Sequence, residues 1–180
     1  MRILKKECSL VIVDVQERLY PHMFEAEHLS NNILKLIKGV KALDIPILLT
    51  QQYTKGLGDS LKEIKEELGA TEHIEKMSFS CCDDEGFANQ LSKLGSKHVI
   101  LCGIETHICV LQTALDLVEK NITPVVVADC VSSRRKYDKE IALNRIISMG
   151  GIVTTYESIL LELARISGTA TFKTISKIIK

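Results

Sequence analysis

The sequence predicts a three-layer α/β/α fold of the Rossmann-like kind, in which helices cover both faces of a six-stranded parallel sheet. Two observations predict it. Short apolar runs alternate along the chain with longer segments whose apolar residues recur at helical spacing. The runs are also continuously apolar, which is typical of parallel strands buried on both faces. An alternating order of strands and helices is the pattern of α/β proteins.

Six strands are predicted, one at each short apolar run. They comprise residues 10–13, 47–49, 73–75, 99–102, 124–128 and 152–154. The third is predicted to be a short edge strand.

Helices are predicted between these strands at 29–43, 64–68, 87–94, 106–119, 137–149 and 158–166, with a small helix in the tail at 171–180. Gly69, Gly95 and Gly150 mark three of the helix ends, because glycine is common where a helix stops. Thr106 is predicted to cap the helix that begins there, and its hydroxyl could accept from the N–H of Cys109 or of Ile108.

Length and charge narrow the class of protein. The 180 residues are enough for one domain with a sizeable core, which we assign to residues 1–180. The 23 basic residues equal the 23 acidic ones, so no nucleic-acid partner is predicted. No apolar run approaches the ~20 residues of a membrane helix, and Asp14 interrupts the first run. We therefore expect neither a membrane partner nor a signal peptide.

The 6 cysteines are predicted to be free thiols. Several lie in or beside predicted buried strands, and no Cys-x-x-Cys pair occurs. This usage favours a reducing, cytoplasmic location. No group of cysteines and histidines has the spacing of zinc ligands, so a zinc site is not expected.

Three residues suited to catalysis follow three different predicted strands. Asp14 follows the first strand, Lys76 the third, and Cys109 lies in the first helical turn after the fourth. Alone, Asp14 could be a cap, Lys76 a solvated lysine and Cys109 an inert buried thiol. The carboxyl ends of parallel strands share one sheet edge, so together they could supply a base, a cation and a nucleophile. A helix N-terminus and a nearby lysine would also favour the thiolate of Cys109.

The combination of Asp14-x-Gln16, Lys76 and the segment 103–110 (Gly-Ile-Glu-Thr-His-Ile-Cys-Val) resembles the isochorismatase-like cysteine hydrolase superfamily. That superfamily includes nicotinamidases and N-carbamoyl amidases. The resemblance covers nearly the whole chain. Segments 52–58 and 129–134 look like those of the isochorismatase domain-containing subfamily.

The resemblance implies a mechanism for a small amide-like substrate. Asp14 would take the proton of Cys109, Lys76 would stabilise the thiolate, and the sulfur would attack the carbonyl carbon to form a thioester that water hydrolyses. Backbone N–H groups of Glu105 and Cys109 would form the oxyanion hole, beside a cis peptide bond between Ile104 and Glu105. Relatives are commonly oligomers, so a homo-oligomer is implied as well.

The resemblance also bears on cofactors. Nicotinamidases carry an Asp-x-His metal motif after the second strand. Here the matching positions are Gln52 and Thr54, which are poor metal ligands. We therefore expect no metal and no other cofactor, and nicotinamide becomes a less favoured substrate.

Four further residues are candidates for contacts with a small-molecule substrate: Gln16, Tyr20, Tyr53 and Phe79. A loop hydrogen bond is an equally good role for Gln16, and the aromatic rings could simply be core.

A hydrolase is not the only class of protein that the sequence allows. A binding or scaffold protein that keeps the three residues without physiological turnover is the alternative that the sequence leaves open. A dinucleotide-binding oxidoreductase is disfavoured, because neither 14–17 nor 103–105 provides the Gly-x-Gly-x-x-Gly motif that it needs.

Overall fold

The computed structural model describes residues 2–180 and has the predicted architecture, with helices on both faces of a six-stranded, all-parallel sheet. The strands are β1 Cys8–Val13, β2 Ile47–Gln52, β3 His73–Lys76, β4 His98–Ile104, β5 Thr123–Ser132 and β6 Ile152–Thr154. Their spatial order is β3-β2-β1-β4-β5-β6. All six predicted strands are confirmed, and β3 is the edge strand that the sequence predicts.

The helices are α1 Ala26–Ala42, α2 Thr54–Leu57, α3 Lys62–Leu68, α4 Glu85–Leu94, α5 Leu111–Glu119, α6 Lys136–Ser148, α7 Tyr156–Ala164 and α8 Ala170–Ile178. Every predicted helix is present, including the one in the tail. The short α2 was not predicted. The largest difference precedes α5, where residues Thr106–Val110 form a π-helical turn instead of regular α-helix.

Each face of the sheet carries its own apolar core. Successive side chains of a strand point to opposite faces, so Leu10 and Ile12 of β1 pack on one side while Val11 and Val13 pack on the other. The first side is covered mainly by α1, α7 and α8, and the second by α4, α5 and α6. Burying one such aliphatic side chain stabilises the fold by roughly 1.5–3 kcal/mol. No helix within residues 2–180 has the length and apolar character to cross a membrane.

The strand order places a crevice above the middle of the sheet. β1 pairs with β2 on one side and with β4 on the other, so the connections that leave β1 and β4 run in opposite directions from that point. In open α/β sheets, the carboxyl ends of strands at such a switch point form the usual ligand site. Asp14 and Glu105 directly follow β1 and β4 there.

Gly103 lets β1 and β4 approach closely just below this crevice. It is paired with Val13 and has a φ of +118°. A Cβ atom at Gly103 would lie 2.1 Å from the carbonyl oxygen of Val13 and 2.7 Å from its nitrogen. Both contacts are to backbone that cannot move without separating the two central strands.

We expect Gly103→Ala to lower the free energy of unfolding by about 3 kcal/mol or more, since it combines a core clash with a strained φ. Gly95→Ala is the matched control. Its φ is also positive, at +61°, but a Cβ there meets nothing within 4 Å. It should cost only about 1–2 kcal/mol. Urea unfolding measures both, and equal losses would show that the approach to Val13 is unimportant.

Candidate active site

Asp14 directly follows β1, and its side chain is completely buried. Its φ of 51° lies in the left-handed region, which aspartate tolerates better than most residues. The carboxylate accepts from Lys76 Nζ at 2.6 Å through Oδ2 and from Thr50 Oγ1 at 2.8 Å through Oδ1. Both of its oxygens are therefore hydrogen-bonded without solvent.

Lys76 is the last residue of β3, and its side chain is as buried as that of Asp14. Besides Asp14, its ammonium donates to the carbonyl oxygens of Ser78 at 3.0 Å and Phe79 at 3.2 Å. An ammonium has three N–H groups, so each has an acceptor. Burial acts to lower the pKa of Lys76, but the negative charge of Asp14 and the neighbouring thiols outweigh it and raise that pKa. Lys76 is a fully bonded, charged group inside the protein.

Cys109 lies in the π-helical turn just before α5, and only 5% of its surface is exposed. Its Sγ donates to Oε1 of Gln52 at 3.3 Å. Burial raises the pKa of the Cys109 thiol, Asp14 raises it further, and Lys76 only partly opposes them. Lys76 acts in the direction expected from the sequence, but burial and Asp14 outweigh it. The thiol is protonated until a base removes its proton.

The π-helical turn also overturns the predicted cap. Glu105 occupies the capping position, and no side chain caps this turn. The Oγ1 of Thr106 is buried and has no hydrogen-bond partner among residues 2–180, so it captures neither candidate N–H. The N–H groups of Ile108 and Val110 instead both donate to the backbone oxygen of Glu105, at 3.1 and 3.2 Å.

Glu105 joins the turn that carries Cys109 to the segment that follows β5. The Ile104–Glu105 peptide is cis, as the resemblance implied. Oε2 of Glu105 accepts from both the backbone N–H and Nε of Arg134, each at 3.1 Å. Arg134 thereby fixes the Glu105 side chain beside the cleft, a role that sequence reasoning did not assign to it.

A cleft of about 130 Å³ opens at Cys109. It is lined by Cys109 together with Leu19, Gln52, Leu57, Phe79, Glu105 and Ile108. A second, wider cleft of about 610 Å³ shares Leu19 and Glu105 with it and is lined also by Arg134. Clefts for drug-sized ligands measure ~300–1,000 Å³, so the cavity at the sulfur itself suits only a small group.

The structure brings one of the four candidate substrate residues into this cleft. Phe79 lines it and is half-exposed. Gln16 is completely buried, and its amide donates to the carbonyls of Gln52 and Gly58 and accepts from the Gln52 N–H, so it holds loops together. Tyr20 bonds the Ser30 hydroxyl. Neither Tyr20 nor Tyr53 lines either cleft at Cys109.

The sequence analysis did not identify several residues that line the cleft or form hydrogen bonds with the predicted site residues. Thr50 and Gln52 both belong to β2 and bond Asp14 and Cys109 respectively. Their position near the carboxyl end of a central strand is the signal that could have found them. Leu19, Leu57 and Ile108 carry no signal of this kind, because apolar side chains are common everywhere in the chain.

The positions that correspond to the nicotinamidase metal motif have other uses here. Gln52 accepts from the thiol, and the Thr54 hydroxyl donates to Oε1 of Gln51 at 2.9 Å. Within residues 2–180, no group of three or more His, Cys, Asp or Glu side chains is arranged to hold a metal ion.

Comparison with known proteins places this chain in a family. The model of the isochorismatase domain matches residues 8–158. The chain belongs to the isochorismatase family. Isochorismatase domain-containing protein 2 of Danio rerio is 37% identical over 179 residues, which are 99% of this chain and 89% of that protein. Family membership supports a hydrolytic enzyme.

Two solved structures show the same isochorismatase-family fold. The MAR1 ribonuclease of Caenorhabditis elegans superposes with a TM-score of 0.93 at 36% identity, covering 99% of this chain and 92% of that one. The YcaC gene product of Escherichia coli, described as an octameric hydrolase of unknown specificity, gives 0.93 at 24% identity, covering 99% and 90%. At that lower identity the likeness concerns the fold alone.

We expect Lys76→Met to lower the free energy of unfolding by about 3–5 kcal/mol, because it leaves the Asp14 carboxylate buried without its counter-charge. Adding Asp14→Asn should restore part of the loss. Lys65→Met is the control, since it breaks an ion pair with Asp59 that is about half-exposed and should cost at most about 1 kcal/mol. Denaturant unfolding of the wild type and these three variants measures this, and equal costs for both lysines would contradict it.

Proposed function

We propose that this chain is a cysteine hydrolase that cleaves a C–N bond of a small amide-like substrate through a thioester. The observation that carries the proposal is the buried Asp14–Lys76 ion pair next to the Cys109 thiol at the bottom of a small cleft. A buried ion pair is a costly way to stabilise a fold, so its place beside a nucleophile favours a chemical role.

Asp14 is the base in this proposal. Because the pKa of Cys109 is raised, the sulfur becomes a nucleophile only when its proton is removed as the reaction begins. The transfer turns a carboxylate and a thiol into a carboxylic acid and a thiolate, while Lys76 stays charged. The net charge of the three groups is therefore zero before and after, which avoids a new uncompensated charge in a buried site.

The thiolate then attacks the carbonyl carbon, and the carbonyl oxygen becomes negative. The N–H groups of Glu105 and Cys109 are the proposed donors to that oxygen. Removing one such donor typically costs two to three orders of magnitude in rate, i.e. ~10²–10³. The proton on Asp14 passes to the leaving amine, and water, deprotonated by Asp14, hydrolyses the thioester to free acid and thiol.

The cleft limits the acyl part of the substrate. Side chains of Leu19, Leu57, Phe79 and Ile108 give most of its lining an apolar character. Asp14 and Lys76, whose charges act on Cys109, do not line the cleft and are already paired with each other. The group that contacts Cys109 is therefore proposed to be small and uncharged, with any larger or polar part lying in the wider cleft beside Arg134.

Location and assembly belong to the same proposal. All 6 cysteines are free thiols, which supports the cytoplasm as the location. A homo-oligomer is supported by the description of the Escherichia coli structure as octameric. Sedimentation or light scattering of the purified protein measures the assembly directly.

RNA cleavage is the second candidate, because a relative at 36% identity is called a ribonuclease. Two observations oppose it: the balanced charge of the chain and the small volume of the cleft at Cys109. The proposed hydrolase requires Cys109, so nuclease activity that persists in Cys109→Ala would belong to a different site or to a contaminant.

Ammonia or amine release from a panel of small aliphatic amides and N-carbamoyl compounds tests the hydrolase. We expect turnover by the wild type and a loss of at least about 10³-fold in kcat/KM for Cys109→Ala. Cys82→Ala is the matched control and should keep full activity, since that thiol lies outside the cleft. Absence of any Cys109-dependent turnover would favour the binding or scaffold protein.

Alkylation by iodoacetamide, followed cysteine by cysteine with mass spectrometry, tests the protonation of Cys109. Its rate should be low at neutral pH and should rise only above the ordinary thiol pKa of 9.0. Asp14→Asn removes a charge that raises this pKa, so alkylation at neutral pH should become faster. Lys76→Met removes one that lowers it, so alkylation should become slower. Shifts in the same direction in both variants would contradict this electrostatic account.

A further inference from the structure

A separate cavity of about 410 Å³ lies between α1, the second half of β5 and α6. It is lined by Phe24, Glu25, His28, Leu29, Asn32, Ala128, Asp129, Val131, Ser132, Lys139 and Thr155. None of these residues lines either cleft at Cys109. The cavity therefore needs its own explanation.

Asp129 supplies a half-buried carboxylate to this cavity. It lies in β5, and its Oδ1 accepts from the backbone N–H of Tyr156 at 2.9 Å. Its backbone oxygen accepts from Nδ2 of Asn32 at 3.0 Å, which fixes the strand against α1. Burial raises the pKa of Asp129, and no cation within residues 2–180 lies within ion-pair distance of it. Its charge is only partly compensated.

Lys139 supplies the opposite charge from α6. It is half-buried, and its ammonium makes no ion pair with any carboxylate that the structure describes. Burial lowers the pKa of Lys139, and the attraction of Glu25 and Asp129 opposes this only in part. This situation differs from that of Lys76, whose ammonium has three acceptors.

The cavity thus holds a cation and a carboxylate that face the same space without touching. Partly desolvated charges are costly unless they are paired. Lys139 lies on α6 and Asp129 on β5, and the two side chains form no ion pair with each other. A ligand that carried one charge of each sign could form an ion pair with Lys139 and with Asp129 at the same time.

We infer that this cavity binds a small zwitterion, whose carboxylate pairs with Lys139 and whose ammonium lies at Asp129 and Glu25. A cavity of about 410 Å³ accommodates an amino acid. Phe24, Leu29 and Val131 provide apolar surface for the carbon chain between the two charges. The site is independent of the proposed hydrolysis at Cys109.

A series of ω-amino acids tests the inference, because its members differ only in the distance between the two charges. Glycine, β-alanine, 4-aminobutanoate, 5-aminopentanoate and 6-aminohexanoate are titrated into the wild-type protein by calorimetry, beside butanoate and butylamine. We expect one chain length to bind at least about tenfold more tightly than either singly charged compound. No binding by any member at about 10 mM, or equal binding by butanoate, would overturn the inference.

Variants in α6 test whether the preferred ω-amino acid binds in this cavity. Lys139→Met should weaken the preferred ligand at least about tenfold, and it should still fold, since it replaces a half-buried charge with an apolar chain of similar length. Arg145→Met is the control, because it removes an exposed charge from the same helix at a position that does not line the cavity, and its affinity should stay within about twofold of the wild type. Binding that survives Lys139→Met would exclude this cavity as the site.

Cys109→Ala separates this site from the catalytic one. It should bind the preferred ω-amino acid as the wild type does, because Cys109 lies outside the cavity. Loss of binding in Cys109→Ala would mean that the zwitterion occupies the catalytic cleft, and the inference would then fail while the proposed hydrolase would stand.

Discussion

The ion pair between Asp14 and Lys76 is the interaction on which the rest of the site depends. It joins the ends of β1 and β3 across the intervening strand β2, which contributes Thr50 to the same carboxylate. Because both charges are completely buried, the surrounding backbone must supply every remaining hydrogen bond, and the carbonyls of Ser78 and Phe79 do so. The hydrogen bond from Lys76 to the Phe79 carbonyl also holds Phe79 where its side chain lines the cleft at Cys109. Part of the cleft lining therefore depends on the hydrogen bonds of the ion pair.

The pair also affects the pKa of Cys109, the proposed nucleophile. A lysine alone would favour a thiolate, but here its charge is already matched by Asp14, so burial dominates and Cys109 keeps its proton. A resting thiol is less open to unwanted oxidation and alkylation than a thiolate. Asp14 raises the pKa of Cys109 at rest and is also the base in the proposed reaction. One carboxylate would therefore both favour the resting thiol and remove its proton when the substrate reacts.

Sequence patterns predicted the fold and the sheet edge where the site lies, for a physical reason. Continuous apolar runs and apolar residues at helical spacing indicate directly which segments are buried. Parallel strands bring their carboxyl ends to one edge of the sheet independently of the loop conformations. The raised pKa of Cys109, the burial of Gln16 and the lack of a partner for the Thr106 hydroxyl could not be predicted in this way. Each depends on how loops and a π-helical turn pack in three dimensions, and single positions in a sequence carry no periodicity that reports this.

The cleft at Cys109 and the cavity at Lys139 differ in whether their charged groups are paired, and this affects which ligands each can bind. At Cys109 the protein completes its own ion pair, so a charged group placed against the sulfur would have no counter-charge and would meet largely apolar walls. In the cavity at Lys139 the charges of Lys139 and Asp129 form no ion pair, so an uncharged ligand would leave both uncompensated. The desolvation cost that would favour a zwitterion in the second cavity would therefore oppose it in the cleft at Cys109. The pairing of charges therefore adds a selectivity between the two cavities to the one set by their volumes of about 130 and 410 Å³.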